Sequence, residues 1–131
     1  MTDPVRTTMV LLEHTLPDGS AHCDWLIERP DDPREHRMLS FRCETDPLTD
    51  PGWTGERMPD HRAHYLRYEG PVSGGRGVVR RIWSHPCRVL IDHPERVLLE
   101  VSSTGAAGPA RLALEPMPGS PDRWRREIGG P

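Results

Sequence analysis

Short apolar runs alternate with breaks along the whole chain. "MVLLEH", "HCDWLIE", "RMLSFRC", "CRVLID", "RVLLEV" and "RLALE" are each bounded by proline, glycine or polar clusters. Fifteen prolines and twelve glycines supply the breaks, and the longest stretch free of both is 34–46. A helix needs length to repay its nucleation, so breaks this dense leave little room for one. The runs read instead as strands at 8–14, 22–28, 37–43, 65–69, 77–84, 87–92, 96–103, 110–115 and 122–127. "VLIDHPERVLLEV" predicts a hairpin turning at Asp92 to Glu95, and "RRIWSHPCRVLI" another at Ser84 to Pro86. The polar segment 46–60 reads as a long connection. Many short strands with turns every 8–12 residues predict an all-β fold, a small antiparallel β-barrel with little helix.

Length and composition refine this. At 131 residues the chain suits one domain, 1–131, with frayed tails at about 1–6 and 128–131. Only 34% of residues are hydrophobic, and the aromatic set is four Trp, two Tyr and one Phe. A small core, or a barrel with a polar face, follows. No apolar run approaches the ~20 residues of a membrane span, so no membrane partner is expected. "MTDPVRTT" has neither the charged nor the apolar region of a signal peptide. Cys23, Cys43 and Cys87 form no CxxC pair. An odd count without metal spacing predicts reduced thiols and a cytoplasmic protein.

Charge is uneven. The net charge is −3. Residues 57–88 carry seven arginines against Asp60 and Glu69, a local +5, so the rest sums to −8. That block reads either as a solvated face or as a surface that attracts phosphate. Every basic residue apart from histidine is arginine. Any phosphate contact therefore uses a guanidinium fork.

The chemistry-bearing stretch is "EHTLPDGSAHCDWLIE", 13–28. Side chains alternate on a strand, so His22 and Asp24 share a face, with Cys23 and Trp25 opposite. If strands 8–14 and 22–28 pair through Thr15–Ala21, His14 comes beside His22. Singly, each histidine reads as an ordinary surface or core residue. With Asp24 they form two imidazoles and a carboxylate suited to Mn, Fe or Zn. A second cluster, "DHRAHYLRYEG" at 60–70, offers His61 and Tyr65 for proton transfer or oxyanion contact. "SGGRG" at 73–77 places Arg76 in a Gly-rich turn, which fits either an anion or a plain hairpin.

The order of these pieces resembles the 3′-phosphoesterase domain of bacterial DNA ligase D and its small stand-alone relatives. That family has a histidine before a loop, then His-x-Asp-x-Arg on a strand. Here those positions are His14, His22, Asp24 and Leu26. It then has Asp-His-Pro-Leu-x-Tyr, an aromatic-Glu-Gly and a Gly-rich turn. Here these are Asp60-His61 through Tyr65, Tyr68-Glu69-Gly70 and "SGGRG". The similarity spans about 9–84. It implies a small β-barrel holding a divalent metal, typically manganese, on His14, His22 and Asp24. It also implies His61 and Tyr65 as phosphate-contacting or acid/base residues, and removal of 3′-phosphate or 3′-ribonucleotide ends in DNA repair. A ligase or end-joining partner in trans would follow.

Several departures stand out. The loop between the histidines is longer. The strand arginine is Leu26, the family's Ser-Trp-Ala-Val-Pro-Lys lysine has no counterpart in Ser40–Thr45, and the N-terminal arm is short. Arg76 or Arg80 is left to hold a phosphate, and Leu26→Arg is expected to raise the rate. Two other readings compete. One is a non-catalytic module that binds metal and nucleic-acid ends. The other is a non-haem iron oxygenase, with His22, Asp24 and either His85 or His93 as ligands.

Overall fold

Most of the expected breaks become turns in the computed structural model, which describes residues 5–30, 37–62, 66–101 and 111–127. The strands are β1 (Arg6–Thr15), β2 (Ala21–Glu28), β3 (Arg37–Cys43), β4 (Thr54–Arg62), β5 (Gly70–Pro71), β6 (Val78–His93), β7 (Arg96–Val101), β8 (Arg111–Met117) and β9 (Ser120–Arg126). They form one antiparallel sheet in the order β1-β2-β3-β4-β9-β8-β7-β6-β5. A further pairing of β1 with β6 returns the ladder to its start, giving a barrel-like ring of eight strands with β5 beside it. No helix forms among the described residues, as the density of breaks requires. None is therefore long and apolar enough to cross a membrane.

Three expectations change. First, only part of 46–60 is a connection, because β4 begins at Thr54. Gly55 and Pro59 read as breaks but serve the strand. A Cβ at Gly55 would come within 2.5 Å of the Trp53 indole, so glycine lets that ring pack under the strand. Pro59 falls at a bulge, where the ladder steps from Ser40↔Met58 to Met38↔His61. A residue without an N–H is tolerated at such a position.

Second, no turn forms at Ser84–Pro86. β6 runs through it for 16 residues. Pro86 lies level with Thr8, one residue before the β7 ladder opens at Cys87↔Val101. The proline sits where β6 is about to gain β7 as a neighbour. The other expected hairpin, turning at Asp92 to Glu95, does form, closing at His93↔Arg96.

Third, 66–69 is not a strand. Side chains tie it to β6 instead: Arg81 Nη1 donates to the Leu66 carbonyl, and Glu69 Oε2 accepts the Arg81 N–H. Arg6, assigned above to a frayed tail, pairs with Arg88 as the first residue of β1. The remaining tail positions, 1–4 and 128–131, lie outside the described residues, as do 31–36, 63–65 and 102–110.

The strands bury both faces near β1–β3. Odd positions such as Met9, Leu11, Trp25 and Phe41 enter the main core. There Phe41 lies between Trp25, Trp53 and Trp124, with ring centroids 5.5–5.7 Å away. Even positions Val10, Leu12, Leu26 and Met38 form a second, outer cluster with Leu66 packed against it. The candidate chemistry continues this outer face at its polar end.

Candidate metal centre

Register assembles the site. The β1–β2 hairpin pairs Leu12↔Asp24 and His14↔His22 directly. The turn that sets this register, Leu16 to Ser20, is held locally. The Leu16 N–H donates to the Ser20 carbonyl, and Asp18 accepts from the Ser20 N–H and hydroxyl. Those two bonds hold the Asp18 carboxyl below its ordinary value.

His14, His22 and Asp24 each turn one ligand atom inward, and the three atoms lie within 4.8 Å of one another. Asp24 Oδ2 is 3.4 Å from His22 Nε2 and 4.0 Å from His14 Nδ1. The two rings meet edge to face, with centroids 5.0 Å apart. Bonds of about 2.0–2.2 Å put neighbouring ligands about 3–3.5 Å apart. The His22–Asp24 pair is at that spacing, and the wider distances of the trio, up to 4.8 Å, would have to close on an ion.

Two features fit a cation here. His14 Nε2 lies 2.7 Å from the Arg76 carbonyl oxygen. A carbonyl only accepts, so Nε2 carries the proton and Nδ1 presents its lone pair toward Asp24. Backbone carbonyls orient ligating histidines in this way. The second feature is His22 Nε2, which is buried and makes no hydrogen bond. Burial pushes the His22 imidazole below its ordinary pKa. Asp24 opposes that shift, while Arg42 and His14 add to it. A neutral ring with an unused buried nitrogen is what a metal requires.

Gly77 holds the carbonyl in place. Its φ of +99° is left-handed, and a Cβ would run into the Thr15 carbonyl oxygen. Glycine alone lets the 72–77 turn lie against the end of β1, which brings the Arg76 carbonyl onto His14. The Gly-rich turn therefore acts through its backbone. The Arg76 guanidinium, expected on a phosphate, donates to Ser73, from Nε to the carbonyl and from Nη2 to the hydroxyl.

Arg42, not among the candidate residues read from the sequence, borders the centre. It pairs with Asp24 across β2–β3, and its Nε lies 4.0 Å from Asp24 Oδ1. A cleft of about 320 Å³ opens beside it, lined by His22, Arg42, Glu44, Glu56 and Arg123 among others. No sequence pattern pointed to Arg42, because the β2–β3 register crosses a long connection.

The other expected residues are placed as follows. His61 lies in β4 level with Met38; its side chain, like the whole of Tyr65, lies outside the described residues. Leu26 is 1% exposed, in the outer cluster. Four of the seven arginines in the 57–88 block face carboxylates. Arg80 pairs with Glu13, Arg81 with Glu69, Arg88 with Glu100 and Arg57 with Asp92. Among the described residues, the third ligand-competent histidine beside His22 and Asp24 is His14, not His85 or His93. His85 rests on Trp83, and His93 Nδ1 accepts the Glu95 N–H at the β6–β7 turn.

Neither protein-family models nor curated proteins give a match to this chain.

Proposed function

We propose that this chain is a divalent-metal-dependent phosphoesterase acting on nucleic-acid 3′ ends, removing a 3′-phosphate or 3′-ribonucleotide in DNA repair. The reading rests on one observation: His14 and His22 face each other in register, with Asp24 beside them and a buried His22 nitrogen left unused. Manganese is the favoured ion and zinc the alternative, since two imidazoles and a carboxylate accept either. Bound there, the ion would neutralise phosphate charge and acidify water.

The chain's own residues supply the rest. The Arg76 carbonyl fixes the His14 tautomer. Asp24 contributes the negative charge that holds the cation. In this reading His61 and Tyr65 serve the phosphate or its protons, as the resemblance implies. Reduced thiols fit a cytoplasmic setting, and a ligase partner in trans would seal the trimmed end.

Titration calorimetry with manganese and zinc tests the centre. One site is expected, lost in His22→Ala and in Asp24→Ala. A 3′-phosphorylated primer–template with manganese tests the activity, and His61→Ala should cut phosphate release strongly. Metal binding that survives both ligand mutations removes the centre from the account.

A second reading has its own observation. Leu26 is buried in the outer cluster, so the strand position where the resemblance has an arginine contributes no charge. A metal- and end-binding module without turnover would keep every ligand and lose only phosphate release.

A further inference from the structure

The two oxygens of Asp24 face different partners. Oδ2 is turned to the histidines, 3.4 Å from His22 Nε2. Oδ1 is turned to Arg42, 4.0 Å from its Nε. A cation on the histidine side and a guanidinium on the other would therefore flank one carboxylate. His22 and Arg42 line the same cleft, so an anion held there beside the histidine would also meet Arg42.

We propose that Arg42 is the phosphoryl-binding residue of this site, a role that rests on the phosphoesterase reading. Its side chain is 47% exposed, and among the described residues its guanidinium makes no hydrogen bond. Its donors are thus available for phosphate oxygens, which match the guanidinium fork. The other arginines near the centre are engaged. Arg76 is closed onto Ser73, and Arg80 Nη2 donates to Glu13 Oε1.

The cleft narrows the substrate. Arg42 and His22 line it together, and Arg123 is held in it by donating to the Thr54 hydroxyl. Glu44 and Glu56 also line it. Their charge opposes a run of backbone phosphates. Glu56 stands level with Arg42 across β3–β4, so carboxylates border the guanidinium and the site suits a single terminal phosphate rather than a run of them.

The test is calorimetric titration of inorganic phosphate into manganese-loaded protein, with wild type, Arg42→Gln and Arg80→Gln compared. Both variants remove one exposed positive charge. Arg42→Gln should weaken phosphate binding about 10- to 100-fold, the range for a charge-assisted contact. Its manganese affinity should stay within about twofold, which a merely structural partner of Asp24 would not allow. Arg80→Gln should bind phosphate like wild type. Unchanged phosphate binding in Arg42→Gln, or an equal loss in Arg80→Gln, overturns the assignment. Failure of the phosphoesterase reading looks different: phosphate binds and depends on Arg42, but none is released from a 3′-phosphorylated primer–template. A wild type that takes up no manganese overturns both.

Discussion

Leu26 shows how a single position changes meaning once its neighbours are known. On sequence grounds Leu26→Arg restores a missing guanidinium and raises the rate. In the fold, Leu26 packs with Val10, Leu12 and Met38, sealed from water. An arginine there buries a charge without a partner, at a cost of about 3–5 kcal/mol. The expected outcome is a large drop in the urea midpoint and no gain in turnover; a stable, faster variant would refute this packing. The cysteines make a second prediction at this scale. Burial pushes the Cys43 thiol up to about 12 and the Cys87 thiol up to about 11, from an ordinary value of 9.0. Both folded values lie above the unfolded one, so the neutral thiol is favoured in the fold. Its stabilisation is complete below pH 9 and is lost as pH rises through about 11 to 12. Urea stability should fall across that window. Iodoacetamide at pH 8 should spare Cys43 and Cys87 until the chain unfolds, and half-buried Cys23 should react first. Equal labelling of all three thiols in the folded protein would contradict their burial.

At the scale of elements, the site depends on two turns. The first, Leu16–Ser20, fixes the β1–β2 register. A slip of one residue would send His22 to the core face and Cys23 to the site. The second is the 72–77 turn, which Gly77 lets lie against Thr15. Gly77→Ala adds a Cβ that meets the Thr15 carbonyl and strains a left-handed backbone. The turn must then move, and the Arg76 carbonyl leaves His14. Loss of such an orienting contact typically costs about 10–100-fold in metal affinity. Manganese titration of Gly77→Ala should show that loss with all three ligands intact. Metal binding at wild-type strength would mean that His14 needs no such orientation.

Across the whole molecule, charge is distributed as local pairs. Four arginines of the 57–88 block face carboxylates, three of them on a neighbouring strand or turn and Arg57 on the more distant β6. Exposed pairs of this kind contribute little to stability. At these four positions they offset the positive charge that would track a nucleic-acid backbone. Binding of a 3′-phosphorylated oligonucleotide should therefore depend only weakly on salt. A plot of log affinity against log salt should be no steeper than about −2, as for two or three neutralised phosphates on a single strand. A much steeper slope would mean that the arginines leave their partners to form a continuous surface. Closure of the sheet through β1 and β6 also belongs to this scale. It gives β1 a second partner, with His14 level with Val79 as well as His22, and so holds the ligands on a strand paired along both edges.

The sequence by itself determined the class of fold and the first contacts of the site. Breaks every few residues exclude helices. Period-two alternation places His22 and Asp24 on one face. A short connection makes neighbours of the strands carrying His14 and His22. These are local facts, decided by sterics within about fifteen residues. Only the tertiary structure decided the rest. Gly55, Pro59 and Pro86 look like breaks, but bulges and changes of strand partner absorb them. Arg42 reaches the centre through a register set across a long connection, and the Arg76 carbonyl reaches it through a turn 62 residues from His14. Such placements depend on which strands pair and how the ring closes. Local propensity cannot encode that, because many registers share the same alternation and only packing on both faces selects one.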